Sequence, residues 1–203
     1  MDAKLWKEIM GLILKERLDV QKMQHSITVR AVKPIIKRIY LDMDGVLCDF
    51  EKKYTEFFGV SSKDETGHTK NFYKNWNVFI QNDLFQHLDW YPGAEELIKF
   101  IDNEFVWPKF GQVCILSSSG GHDTHKKVKS QKLQWLKDHN LWYYPFIVSR
   151  KKDKQTYASK DMLLIDDARE NVEQFRQAGG YAIHHIDAVD TIEELKKYSF
   201  YEE

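Results

Sequence analysis

Residues 39–50 read I-Y-L-D-M-D-G-V-L-C-D-F: an apolar run, two carboxylates one residue apart, then a glycine. From Ile35 to Leu41 the chain is apolar and β-branched, broken only by Lys37 and Arg38, which predicts a mostly buried strand. The run stops at Asp42. Ligands of open α/β sheets sit beyond the carboxyl ends of the strands, so a strand ending in Asp42 and Asp44 carries two acids to where an active site belongs. Gly45 lets the backbone turn away with positive φ. The same residues also fit a hairpin, because Asp-Gly is a strong turn signal between apolar segments, but a hairpin has no need of Asp42.

Outward from this stretch, residues 51–91 hold ten aromatic side chains in 41 positions, well above the 14% of the whole chain. Their spacing is helical, with a polar loop from Ser61 to Lys70, and predicts a small helical cap that needs large side chains to build any core. Beyond Pro92 and Gly93, apolar runs alternate with helical patterns. Strands are expected over 112–116, 146–149, 162–165 and 181–186, and helices over 94–103, from Asp123 or Thr124 to His139, and after Asp167. Val128, Trp135 and Leu136 mark the inner face of the second of these helices, and its lysines from Lys126 to Lys137 read as a solvated face. A last helix is expected to open on Thr191 and Glu194 as a capping box. Strands and helices in this alternation predict an α/β fold, a parallel Rossmann-type sheet with helices on both faces and a small inserted helical cap. The expected division is an N-terminal helical extension (1–30), a catalytic core (31–50 and 92–203) and the cap (51–91).

In the extension, Leu5, Ile9 and Ile13 share a helical stripe over residues 2–23, although Gly11 weakens it. Such a helix packs on the core or on a second subunit, so a homodimer is one arrangement it allows. Lysine and arginine number 30 against 31 acids, a formal charge of −1, so no global field would draw the chain to polymeric nucleic acid or an anionic membrane. The uncharged apolar stretch near the start, Ile9 to Leu14, falls far short of the roughly 18 residues a membrane span needs, and no signal-peptide pattern is expected. Cys48 and Cys114 lie in or beside apolar runs, as buried thiols do in a reducing cytoplasm.

Three of the predicted strands end in reactive or phosphate-compatible groups: Asp42 and Asp44, then Ser117, then Asp166 and Asp167, with a lysine-rich loop before the last pair. In order and spacing these resemble the four motifs of the haloacid dehalogenase superfamily over roughly residues 35–187. Within it the chain resembles the 5′(3′)-deoxyribonucleotidase branch and similar phage and bacterial proteins, through L-D-M-D-G-V-L-C-D-F, L-S-S-S at 116–119, D-K-Q-T-Y-A at 153–158 and L-L-I-D-D at 163–167. It departs from that branch at Ser117, where threonine is usual, and at Ser119, where proline is.

The resemblance implies a phosphatase in which Asp42 is the nucleophile and a metal ligand, Asp44 is the general acid and base, and Ser117 and Lys154 hold the phosphoryl group. Lys151, Lys152 and Lys160 are rivals for the lysine. Asp44, through its carbonyl, Asp166 and Asp167 complete the metal site, and Phe50 is placed against a base, with Trp76 opposite and Ser118 in the substrate loop. A carboxylate can approach an anionic phosphate ester only if cations neutralise the phosphoryl oxygens, and magnesium, a hard ion that retains waters, suits a site of two or three acids. The expected substrate is a small phosphate ester, foremost a nucleoside monophosphate, hydrolysed in the cytoplasm through an aspartyl-phosphate. Rivals are a sugar phosphate, a nucleic-acid 3′-phosphate end, or a non-catalytic binding protein, against which the gathering of five such groups speaks. His122 and His125 share a helical face but lack a third zinc ligand, and His184 and His185 point to opposite faces of a strand.

Overall fold

The computed structural model describes residues 33–65, 70–106, 112–120 and 124–200. The helix expected over residues 2–23 lies outside them. Five strands, β1 (Arg38–Leu41), β2 (Gln112–Ser118), β3 (Phe146–Ser149), β4 (Met162–Asp166) and β5 (Tyr181–His184), form one sheet in the order β3-β2-β1-β4-β5. Every pairing is parallel. The alternation of side chains along a strand divides the core in two. Ile39, Leu41, Val113, Ile115, Leu163, Ile165 and Ile183 pack on one face, and Tyr40, Cys114, Leu116, Leu164 and Ala182 on the other. Burying each Leu or Ile contributes about 1.5–3 kcal/mol, so strands apolar on both faces are stable only in the middle of three layers.

Helices α1 (Phe50–Phe58), α2 (Lys70–Gln81), α3 (Ala94–Ile101), α4 (His125–Asp138) and α6 (Ala188–Leu195) give buried side chains to the first face, and α5 (Arg169–Gln177) covers the second. Helices α1 and α2, followed by a 3₁₀ turn at Leu84–His87, occupy the stretch expected to be a helical cap. The described part of the chain after α1, as far as Glu65, is held by acids. Glu51 accepts from the Ser61 hydroxyl and from the Ser62 N–H and hydroxyl, while Glu65 accepts from the Tyr54 hydroxyl and the Asn75 amide.

Some details differ from expectation. The first strand opens at Arg38, because the chain at Ile35 instead bridges to Ser199. The last helix is capped by Asp187, whose side chain accepts from Asp190 N–H at 2.8 Å, and Thr191 lies inside it, buried against the His185 ring. The lysines of α4 are not all solvated: Lys132 is fully buried.

The sheet order places a topological switch at β1. The chain passes from β1 to β2 and β3 on one side, then returns to β4 on the other. Leu41 pairs with Ile115 and with Ile165, so the crevice beyond β1 opens between the ends of β2 and β4.

Candidate active site

Asp42 is the first residue past β1, its N–H still donating to Ile165 O at 2.9 Å. Its side chain is fixed from two directions: Oδ1 accepts from Met43 N–H at 2.7 Å, and Oδ2 lies 2.7 Å from Lys154 Nζ. Asp166, the last residue of β4, is fully buried and carries four bonds. Ala168 N–H donates to Oδ1 at 2.9 Å, Lys154 to Oδ2 at 2.7 Å, and the Asn171 amide to both oxygens at 2.9 Å. One oxygen from each of Asp42, Asp166 and Asp167 falls within 4.8 Å of the others. The turn after β1 makes room for the third. Gly45 has φ +75, and a Cβ there would stand 2.5 Å from Asp167 Oδ2.

Lys154 reaches this cluster from a 3₁₀ helix, Lys151–Tyr157, that follows β3 where a loop was expected. Its three rivals, Lys151, Lys152 and Lys160, are exposed, and Lys151 pairs with Glu170 instead. Burial works against charge on Lys154, but Asp42 and Asp166 override it, and the ammonium is held above its ordinary range. Burial and the Asp42 charge push Asp166 up. Asp167 is exposed as a residue, yet desolvation by the protein around its carboxyl and then the Asp42, Asp166 and Asp44 charges push it up to about 7.

The second arm of the site is built on Asp44 and Ser117. Asp44 is placed by a tight turn in which it bridges to Cys48 and Gly45 N–H donates to Cys48 O at 2.9 Å, rather than by the continuing strand that the sequence suggested. Lys132, from α4, donates to Asp44 Oδ2, to Ser117 Oγ at 2.8 Å and to Ser118 O at 3.0 Å. Its ammonium also lies 4.9 Å from the Phe85 ring centroid in the cap. The reading of the α4 lysines as a wet face missed this residue. Lys132 stands four residues after Val128 and four before Leu136, inside the apolar stripe, and that position was the available signal.

Beyond β2 the described residues on either side of 121–123 are braced by side chains. Gly120 N–H donates to Ser118 Oγ at 3.3 Å, Thr124 donates to Ser119 O, and Ser119 Oγ bonds His125 Nδ1 at 3.0 Å. His125 is thereby a loop brace; His122 lies outside the described residues. Trp76 roofs this loop: a Cβ on Gly120, at φ +75, would stand 2.5 Å from its indole. Phe50 packs among Tyr54, Trp76, Phe79 and Phe85, and meets Trp76 edge-on at 6.0 Å and 60°. The two rings expected to face one another across a base thus touch directly here, and Trp76 is the one beside the phosphate-compatible loop.

Four carboxylates, Asp42, Asp44, Asp166 and Asp167, stand against two ammonium groups, Lys132 and Lys154. That excess of negative charge, presented as hard oxygen donors, fits a divalent cation such as magnesium or calcium better than a soft metal. A cavity of about 340 Å³ between Arg38, Gln112, Val113, Tyr144 and Ile147 opens at the opposite end of the sheet, where β1 and β2 begin. It has no part in this constellation.

A family model described as 5′ nucleotidase, deoxy (Pyrimidine), cytosolic type C protein matches residues 34–191. No curated protein matches the chain. Among solved structures, a hydrolase from Streptococcus pneumoniae TIGR4 aligns with a TM-score of 0.50 at 14% identity, over 79% of this chain and 98% of that one. The putative HAD-hydrolase YfnB from Bacillus subtilis, determined with bound magnesium, aligns with a TM-score of 0.47 at 13% identity, over 79% of this chain and 97% of that one. With the family model spanning most of its length, the chain belongs to the 5′ nucleotidase, deoxy (pyrimidine), cytosolic type C family, within the haloacid dehalogenase superfamily of phosphatases.

Proposed function

We propose that this protein is a magnesium-dependent phosphomonoesterase that hydrolyses a nucleoside or deoxynucleoside monophosphate, in the cytoplasm, through an aspartyl-phosphate on Asp42. The observation that carries the chemistry is Lys154 Nζ at 2.7 Å from both Asp42 and Asp166, beside the three-carboxylate cluster. The nucleotide is supported by the description of the matching family and by the Trp76 indole beside the loop after β2. The location is supported by that description and by two buried, unpaired cysteines. No helix among the described residues is long and apolar enough to cross a membrane.

Asp42, Asp166 and Asp167, with the Asp44 carbonyl, would hold magnesium, which would supply positive charge to the phosphoryl oxygens. The residues do the rest. The Asp42 carboxylate, locked by Met43 N–H and Lys154, attacks phosphorus from a geometry set before substrate arrives. The ester P–O bond breaks, and the leaving oxygen takes a proton from the Asp44 carboxyl. Ser117 and Lys154 hold the phosphoryl oxygens as charge moves onto them. Water then attacks phosphorus, Asp44 takes its proton, and the bond to Asp42 breaks to free phosphate.

A panel of nucleoside monophosphates, sugar phosphates and a 3′-phosphorylated oligonucleotide, assayed for phosphate release with magnesium and with chelator, tests this directly. Release from nucleotides that stops in chelator is expected. Release from a sugar phosphate or oligonucleotide alone overturns the substrate class, and release from none overturns the enzyme.

A further inference from the structure

We propose that Lys132 is the positioning residue for proton transfer in this site, fixing which oxygen of Asp44 carries the proton and which way the Ser117 hydroxyl points. The proposal rests on the phosphomonoesterase reading above and adds a residue to it. A lysine ammonium has three donors and no acceptor. In Lys132 all three are spent, on Asp44 Oδ2, Ser117 Oγ and Ser118 O, and the side chain is fully buried, so no water shares them.

Two directions follow from that one-sidedness. Ser117 Oγ must accept from Lys132, which leaves its own hydrogen to point elsewhere, toward a phosphoryl oxygen. Asp44 Oδ2 must also accept, so the proton that leaves with the alcohol sits on Oδ1. The neighbour of Oδ1 is the Cys48 thiol at 3.6 Å, a weak donor that is itself buried and competes little. In the first half-reaction the proton passes from Oδ1 to the ester oxygen as the P–O bond breaks. In the second, Oδ1 takes the proton of the attacking water. The ammonium is kept in place by α4, whose Gln131 and Trp135 are bonded to the cap on either side of Phe85, and by the Phe85 ring beneath it.

The experiment separates proton delivery from phosphate binding. An alkyl phosphate monoester needs its leaving oxygen protonated, whereas p-nitrophenyl phosphate releases a stable anion and hardly does. Proton donation of this kind is typically worth 10²–10⁴-fold. For Lys132→Met, kcat/KM is expected to fall about tenfold or more further on the alkyl ester than on p-nitrophenyl phosphate, taking the low end of that range with a margin. Lys132→Gln, which retains a donor, should recover part of the ratio. A partly unfolded preparation lowers both rates together and leaves the ratio unchanged, so the readout survives loss of active protein. Equal losses on the two esters in both variants would make Lys132 a structural or phosphate-binding group and overturn the proposal. Wild-type protein that releases phosphate from neither ester would overturn the phosphatase reading instead.

Discussion

At Gly45 two demands meet. The backbone sits at φ +75, where a residue with a Cβ is strained by roughly 1–2 kcal/mol, and the missing Cβ is the space that Asp167 fills. Gly45→Ala is therefore expected to leave the sheet intact but displace Asp167, weakening apparent magnesium affinity by about tenfold or more, as changes beside metal ligands do. A magnesium titration of phosphatase activity that coincides with wild type would contradict the placement of Asp167. Asp42, Asp44, Ser117 and Asp166 could be picked out in the sequence because they follow apolar runs, whereas Lys154 was preferred over Lys151, Lys152 and Lys160 by resemblance to the family's spacing, and it lies against Asp42 and Asp166. Lys132 could not be picked out, because one buried lysine among Lys126, Lys127, Lys129 and Lys137 is distinguished only by its register with Val128 and Leu136. The contact between Phe50 and Trp76 was beyond reach for a different reason: a ring's angle depends on packing by Tyr54, Phe79 and Phe85 around it.

Helix α4 ties the cap to the sheet. Gln131 donates to Ile80 O at 2.8 Å and to Asp83 Oδ1 at 2.9 Å and accepts from Phe85 N–H, while Trp135 donates to Leu88 O at 2.7 Å. Gln131→Leu keeps the bulk but strands the Phe85 N–H, worth about 1–3 kcal/mol when unpaired, whereas Ile80 O still accepts from Asp83 N–H at 3.2 Å. A loss of about 1–3 kcal/mol in urea denaturation is expected. A change within about 0.5 kcal/mol, typical of surface sites, would show that the cap does not depend on this strut. The same helix shows where local rules stop. Its periodicity placed it correctly, but periodicity is blind to a polar side chain reaching across a buried interface. At α6 two segments, Asp187 to Asp190 and Thr191 to Glu194, satisfy the capping pattern, and burial of Thr191 against His185 decides between them. The 3₁₀ helix carrying Lys154 was read as a loop because a run that short has no apolar period to detect.

Across the whole molecule, the titration of His185 gives a stability signature. Its ring is buried, bonded through Nδ1 to Thr191, and Nε2 has no partner among the described residues. Desolvation lowers it from 6.5 to about 4. The unfolded chain takes up this proton below about pH 6.5 while the folded one does not until about pH 4, so the stability it confers is full above 6.5 and lost on the way down. Asp166 and Asp167, both raised, act in the opposite sense, so the contribution is isolated as the difference between wild type and His185→Gln. That difference is expected to shrink by about 3 kcal/mol between pH 6.5 and 4, at 1.36 kcal/mol per unit, and a difference independent of pH would show the ring to be solvated. At this scale the alternation of strands and helices made the parallel sheet legible. The cap's seating was not, since it depends on contacts between residues nearly fifty positions apart. Phosphorylation of Asp42 is read out by rapid acid quench of protein turning over a ³²P-labelled deoxynucleoside monophosphate with magnesium. A hydroxylamine-labile label is expected on the wild-type protein, with neither label nor turnover in Asp42→Asn. Turnover that persists in Asp42→Asn would contradict phosphorylation of Asp42.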